Sequence, residues 1–152
     1  MGSKPRILVV EDDTVQRKLY GLVLRDYDVV FAKDGVEALH KLGYAPVFTA
    51  KGCVVIKESS SALDKVDGLQ AAVTDWRMPY LNGFYVVKYA RKRGLAVSVF
   101  TTEEVLEAFD AGAQIVFTKP IDLCDIKSGI EELVKLYRTG QQPISPSREL
   151  VH

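Results

Sequence analysis

Four short apolar runs in this chain stop abruptly at polar residues of unusual kinds, and this pattern constrains the fold most. Ile7-Leu8-Val9-Val10 runs into Glu11-Asp12-Asp13, and Leu69, Ala71, Ala72 and Val73 lead to Asp75. Leu95 to Phe100 stops at Thr101-Thr102, and Ile115 to Thr118 stops at Lys119-Pro120. Continuous apolar runs fit strands buried on both faces of a parallel sheet. Tyr27 to Ala32 supplies one more strand. Helical spacing fills the gaps. Thr14 to about Arg25 carries Val15, Leu19, Leu22 and Val23, with Asp13 or Thr14 as its cap. Gly35 to Leu42 is a short helix, and Gly83 to Arg93 sets Phe84, Val87 and Ala90 on one face. Glu103 to Ala111 is closed by Gly112. Asp122 to Arg138 turns Ile126, Ile130, Leu133, Val134 and Tyr137 inward and ends at Gly140. Strands alternating with helices predict an α/β fold, a doubly wound parallel sheet covered on both faces.

In such a sheet the carboxyl ends of the strands share one rim beside the switch point of the strand order. Glu11, Asp12, Asp75, Thr101 and Lys119 therefore converge, although they span the chain. Crowded carboxylates repel one another, and a hard divalent cation relieves the repulsion. Magnesium suits the set, since it takes oxygen ligands and needs only one or two carboxylates. Lys119 adds a mobile positive charge and Thr101 a hydroxyl donor. A carboxylate nucleophile, a metal, an ammonium and a hydroxyl make a phosphoryl-transfer site. The blander reading is helix capping, which Asp12, Asp13 and Thr101 can all perform. Capping does not account for Lys119 or for the shared rim.

Composition narrows the field of partners. The 152 residues fit one domain with a real core, 47% apolar and 26% charged. Net charge is zero, which argues against direct nucleic-acid binding through bulk charge. The cluster of Lys88, Arg91, Lys92 and Arg93 reads as a solvated helix end complementing the helix dipole. No apolar run approaches the roughly 18 residues of a membrane span, and the N-terminus lacks a signal-peptide pattern. Cys53 and Cys124 read as free thiols, and His40 and His152 as isolated side chains. A cytoplasmic protein is expected.

The residues now carry a resemblance. Ile7-Leu8-Val9-Val10-Glu11-Asp12-Asp13, Asp75-Trp76-Arg77-Met78-Pro79 with Asn82-Gly83, Phe100-Thr101-Thr102 and Phe117-Thr118-Lys119-Pro120 occur in this order. The chain resembles the CheY-like receiver domain of two-component response regulators, over roughly residues 4 to 138. The resemblance implies a flavodoxin-like fold, phosphorylation of Asp75, and Mg2+ held directly by Asp12 and Asp75. It implies that Glu11 acts through water, that the backbone carbonyl of Arg77 completes the protein ligands, and that Lys119 and Thr101 hold the phosphoryl group. A cis Lys119-Pro120 bond is also implied. The implied partners are a sensor histidine kinase or phosphotransfer protein and a downstream protein. Enzymatic character would be limited to the domain's own phosphorylation and dephosphorylation.

The chain departs from the resembled pattern in several places. Residues from about 43 to 68 form an insertion about 20 to 25 residues too long for a loop of ordinary length. Val29 to Lys41 and Cys53 to Lys65 match at a constant offset of 24 residues, which suggests a duplicated strand-helix unit able to add a strand to the sheet. A β-hairpin, Val47 to Ala50 against Cys53 to Lys57 with a turn at Lys51-Gly52, competes with it. Val116 stands where the family usually carries an aromatic switch residue, and Phe117 should face the opposite side of its strand. Thr101 and Lys119 are 18 positions apart, a few fewer than usual, which trims the fourth helix or its leading loop. Thr102 stands where a small alanine is common. Arg77 and Glu103 frame the pocket mouth and either pair there or stay solvated. Residues 139–152 read as a tail or the start of a linker. The expected function is a phosphoryl-accepting receiver. The alternative is an interaction scaffold that no longer responds to phosphate. An aspartyl-nucleophile phosphatase is disfavoured, since Arg77 stands where a second aspartate is usual.

Overall fold

The computed structural model describes residues 3–59 and 65–140. A five-stranded parallel sheet forms from β1 (Arg6–Val10), β2 (Asp28–Ala32), β5 (Leu69–Asp75), β6 (Ala96–Thr101) and β7 (Ile115–Thr118), in the order β2-β1-β5-β6-β7. The helices are α1 (Thr14–Val23), α2 (Gly35–Leu42), α3 (Gly83–Lys92), α4 (Val105–Ala111) and α5 (Leu123–Thr139). This is the doubly wound parallel sheet that the sequence pattern predicts, in the flavodoxin-like form that the resemblance implies.

Alternate residues along the strands feed two cores. Leu8, Val10, Ala72, Val97, Val99 and Val116 pack with buried residues of α2, α3 and α4. Ile7, Val9, Ala71, Val73, Phe100 and Phe117 pack with α1 and α5. Val116 and Phe117 thus lie on opposite faces, as the strand period requires, and both are fully buried. On the second face Tyr20, Phe100 and Phe117 stack in series, with ring centroids 5.6 and 5.1 Å apart. Gly129 of α5 rests on this stack, where an added Cβ would stand 2.2 Å from Phe117.

Four residues that helical spacing marked as a packed face prove exposed. Val15 and Leu22 are 65% and 64% exposed, because Tyr20 of α1 and its C-cap Leu24 are seated instead. Phe84 is exposed in the first turn of α3, where Val86 and Val87 take the inward face. Tyr137 is exposed, and Leu136 beside it packs on the core. α4 begins at Val105, later than the pattern suggested, and ends at Gly112 with φ 119°. The bond between Lys119 and Pro120 is cis.

The stretch before β5 folds as a hairpin, its first strand beginning three residues before the expected Val47 and its second shifted by one residue. β3 (Tyr44–Phe48) pairs antiparallel with β4 (Val54–Glu58) in a separate two-stranded sheet. Of the two alternatives the added strand in the main sheet is not formed: β4 pairs with β3, whose Pro46 is tolerated on an edge. Thr49 ties the turn, its N–H donating to the Cys53 carbonyl at 2.8 Å and its Oγ1 accepting from the Cys53 N–H at 3.1 Å. Tyr44 anchors the base, its ring 4.7 Å from Tyr89. The helical half of the suggested duplication falls on residues 60–64, and the tail on 141–152, both outside the described residues.

The basic cluster of α3 does more than meet solvent. Arg91 donates to the Leu95 carbonyl at 2.9 Å and to Gln114 Oε1 at 3.1 Å. Arg93 donates to the carbonyls of Lys41 and Val66, one on each side of the hairpin excursion. The ammonium groups of Lys88 and Lys92 lie over the Tyr89 ring.

Candidate functional site

β1 delivers Glu11 to the rim. The Glu11 N–H donates to the Ala32 carbonyl at 3.0 Å, and Arg17 Nη1 donates to the Glu11 carbonyl at 2.7 Å. Asp13 does cap α1, accepting from the N–H groups of Val15 and Gln16 at 2.8 and 3.2 Å. That role leaves Asp12 for the site. β5 delivers Asp75, and α3 closes directly behind it. Gly83 N–H donates to the Trp76 carbonyl, and a Cβ on Gly83 would lie 2.5 Å from the Asp75 carbonyl oxygen. Only glycine permits that approach.

Carboxylate oxygens of Glu11, Asp12 and Asp75 lie within 4.8 Å of one another. Glu11 and Asp75 are buried, and Asp12 is exposed. Lys119 Nζ stands 2.8 Å from Asp75 Oδ1. Burial, a hydrogen bond with Asp75 and the Asp75 charge push the Glu11 carboxyl up to about 8. The donor set is oxygen-only and anionic, which fits a hard divalent cation.

The rim divides into two cavities. The larger, about 480 Å³, is lined by Glu11, Asp12, Tyr20, Asp75, Arg77 and Lys119 among others. The smaller, about 170 Å³, is lined by Arg77, Phe100, Thr101, Thr102 and Lys119. The residues singled out in the sequence therefore gather as expected, except that Thr101 opens into the adjoining cavity. Arg77 and Lys119 border both.

Arg77 pairs, but Glu104 is its main partner. Glu103 Oε2 is 3.8 Å from Arg77 Nη2, while Glu104 Oε1 accepts a hydrogen bond from Arg77 Nε and forms an ion pair with Nη2. Glu104 Oε2 also accepts from Thr101 Oγ1 at 2.5 Å. The hydrogen bond from Thr101, helped by Arg77, holds the Glu104 carboxyl below the usual range. Sequence reasoning missed Glu104. The spacing Thr101-x-x-Glu104 was available, but it is the helix capping-box signature, and the pair lies ahead of α4. Tyr20 was missed too, for nothing in its spacing marks it. Burial and the nearby carboxylates push its hydroxyl pKa up.

No family model matches the chain. It is similar to chemotaxis protein CheY1 of Helicobacter pylori, 28% identical over 134 residues that cover 83% of this chain and 94% of that protein. Its fold is similar to the receiver domain of Francisella response regulator 1452, at 24% identity and TM-score 0.65, covering 89% of this chain and 98% of that one. It is also similar to the receiver domain of Saccharomyces cerevisiae Ssk1, solved with the histidine phosphotransfer protein Ypd1, at 20% identity and TM-score 0.63, covering 90% and 92% of the two chains. The relatives are response regulators and CheY proteins, their fold is the one built here, and the acidic cluster lies at the carboxyl end of its sheet, so in sequence and fold the chain is similar to CheY-like receiver domains.

Proposed function

We propose that this receiver accepts a phosphoryl group on Asp75 from a phosphohistidine of a sensor kinase or phosphotransfer protein, and passes the signal to a downstream protein. The observation that carries the reading is the Asp75 carboxylate, buried yet paired with Lys119 at 2.8 Å and grouped with two further acids. A carboxylate oxygen of Asp75 attacks phosphorus, the phosphorus–nitrogen bond breaks, and the imidazole leaves with the electron pair. The product is an acyl phosphate on Asp75. Lys119 shields the incoming negative charge, and the Thr101 hydroxyl donates to a phosphoryl oxygen. Asp12 and Asp75 directly, the Arg77 backbone carbonyl, and Glu11 through water would hold Mg2+. Bound Mg2+ supplies charge neutralisation between the carboxylates and the phosphoryl oxygens. Hydrolysis by water at phosphorus then returns Asp75, an activity of the domain itself. The Ssk1 receiver assembles with a histidine phosphotransfer protein, which supports the choice of partner. A cytoplasmic location fits this chemistry, and among the described residues no helix is long and apolar enough to cross a membrane.

One observation favours a second reading, a scaffold indifferent to phosphate: Val116, not an aromatic ring, fills the core at the usual switch position. One experiment separates the two. The protein is incubated with Mg2+ and phosphoramidate or acetyl phosphate and weighed by mass spectrometry. The receiver reading expects one hydroxylamine-labile phosphoryl group, lost in Asp75→Asn. No gain in the wild type, under conditions that label a control receiver, leaves the scaffold.

A further inference from the structure

Thr101 has one hydroxyl proton, and that proton is already engaged. Oγ1 donates to Glu104 Oε2 at 2.5 Å, while the same oxygen accepts from the Glu104 backbone N–H at 3.3 Å. A hydroxyl is a single donor. It cannot serve an oxygen on Asp75 while it serves Glu104. The same carboxylate holds the guanidinium of Arg77, which borders both cavities of the rim. One side chain thus restrains both the Thr101 hydroxyl and the Arg77 guanidinium, leaving Lys119 to Asp75. Glu104 is also the last residue before α4, and the Ala108 N–H donates to its carbonyl at 3.0 Å. Its side chain is only 16% exposed, so its negative charge is less screened than that of a free surface residue.

The geometry points to Glu104 as a positioning residue for the phosphoryl transfer proposed above, a carboxylate latch that withholds the Thr101 hydroxyl and the Arg77 guanidinium until an anion on Asp75 displaces it. The inference rests on that reading of Asp75. A phosphoryl group and Glu104 compete for the same two donors, and their like charges repel. When a phosphoryl oxygen accepts the hydrogen bond from the Thr101 hydroxyl, Glu104 loses its tie to the end of β6. The start of α4 is then released without any aromatic rotation at position 116. The competing account is plain support of the α4 start, which would affect stability and nothing else.

The full chain with Mg2+ and subsaturating phosphoramidate provides the test. Glu104→Ala should be phosphorylated about tenfold faster than wild type, the scale of one lost charge-assisted hydrogen bond. Its phosphoryl group should also last longer. Glu104→Gln, which keeps the shape and an acceptor for Thr101, should move both quantities the same way by a smaller factor. It serves alone if the alanine variant fails to fold. A lower denaturation midpoint with unchanged rate and lifetime in the folded variants overturns the latch. Absence of labelling in the wild type overturns the phosphoryl-acceptor reading instead, so the two failures are distinct.

Discussion

Glu11 places a titration inside the site. Its folded pKa of about 8 stands above the ordinary 4.5. Between these values the folded protein binds more protons than the unfolded chain, so this group's contribution to stability is full below pH 4.5 and is lost as pH rises towards about 8. Cation binding favours the ionised carboxylate and releases the proton. Metal-free protein should therefore show a lower urea midpoint at about pH 8 than at about pH 5.5, and excess Mg2+ should narrow the difference. Glu11→Gln should flatten the dependence. A midpoint that does not change with pH in the wild type contradicts this. Glu11, Asp12, Asp75 and Lys119 were legible because each interrupts an apolar run, and a parallel sheet aligns such interruptions. Glu104 was not legible, since its role depends on where the side chains of Thr101 and Arg77 meet, while its spacing suits a cap. Val15 and Leu22 misled for a related reason. Helical spacing gives a face, but neighbours choose which face is covered, and here Tyr20 and Leu24 take it.

At the scale of elements, two contacts are open to measurement. α5 comes close to β7 because Gly129 lacks a Cβ, with Phe117 directly beneath. Gly129→Ala gains helix propensity of about 1 kcal/mol but must push α5 off the aromatic stack. A net loss of about 1–3 kcal/mol is expected by chemical denaturation; a gain in stability would refute the tight fit. Arg93 bridges the carbonyls of Lys41 and Val66. Arg93→Ala removes a charged donor from two half-buried carbonyls, at a cost of about 1–3 kcal/mol, and should speed amide exchange in β3 and β4 before the rest of the protein. Uniform exchange in the variant would mean that Arg93 does not clasp the hairpin. The hairpin illustrates what a sequence leaves undecided. The repeat at offset 24 and the turn at Lys51-Gly52 used the same residues, and local pattern weighed them equally. Antiparallel pairing of Tyr44 with Glu58 and burial of Tyr44 against Tyr89 decided the outcome, and both depend on chain far from the turn.

The molecule as a whole is a sheet with its chemistry along one rim and an accessory hairpin elsewhere. Val54 and Ile56 pack on the α2–α4 core only in part. Replacing residues 45–57 with a short turn should therefore cost about 2 kcal/mol of buried apolar surface and leave phosphorylation of Asp75 unchanged, as judged by mass gain with phosphoramidate. Loss of labelling in the folded variant would show that the hairpin supports the site.

The clasp of Arg93 has a further consequence. Because the excursion departs and returns beneath one guanidinium, its two ends stay together whatever the chain does between them. Loop closure grows only with the logarithm of length, so doubling such a segment costs about 0.6 kcal/mol. The Thr49–Cys53 turn is thus a natural graft point. A fluorescent protein or a binding module spliced there would ride on the domain while Asp75 and its neighbours keep their places.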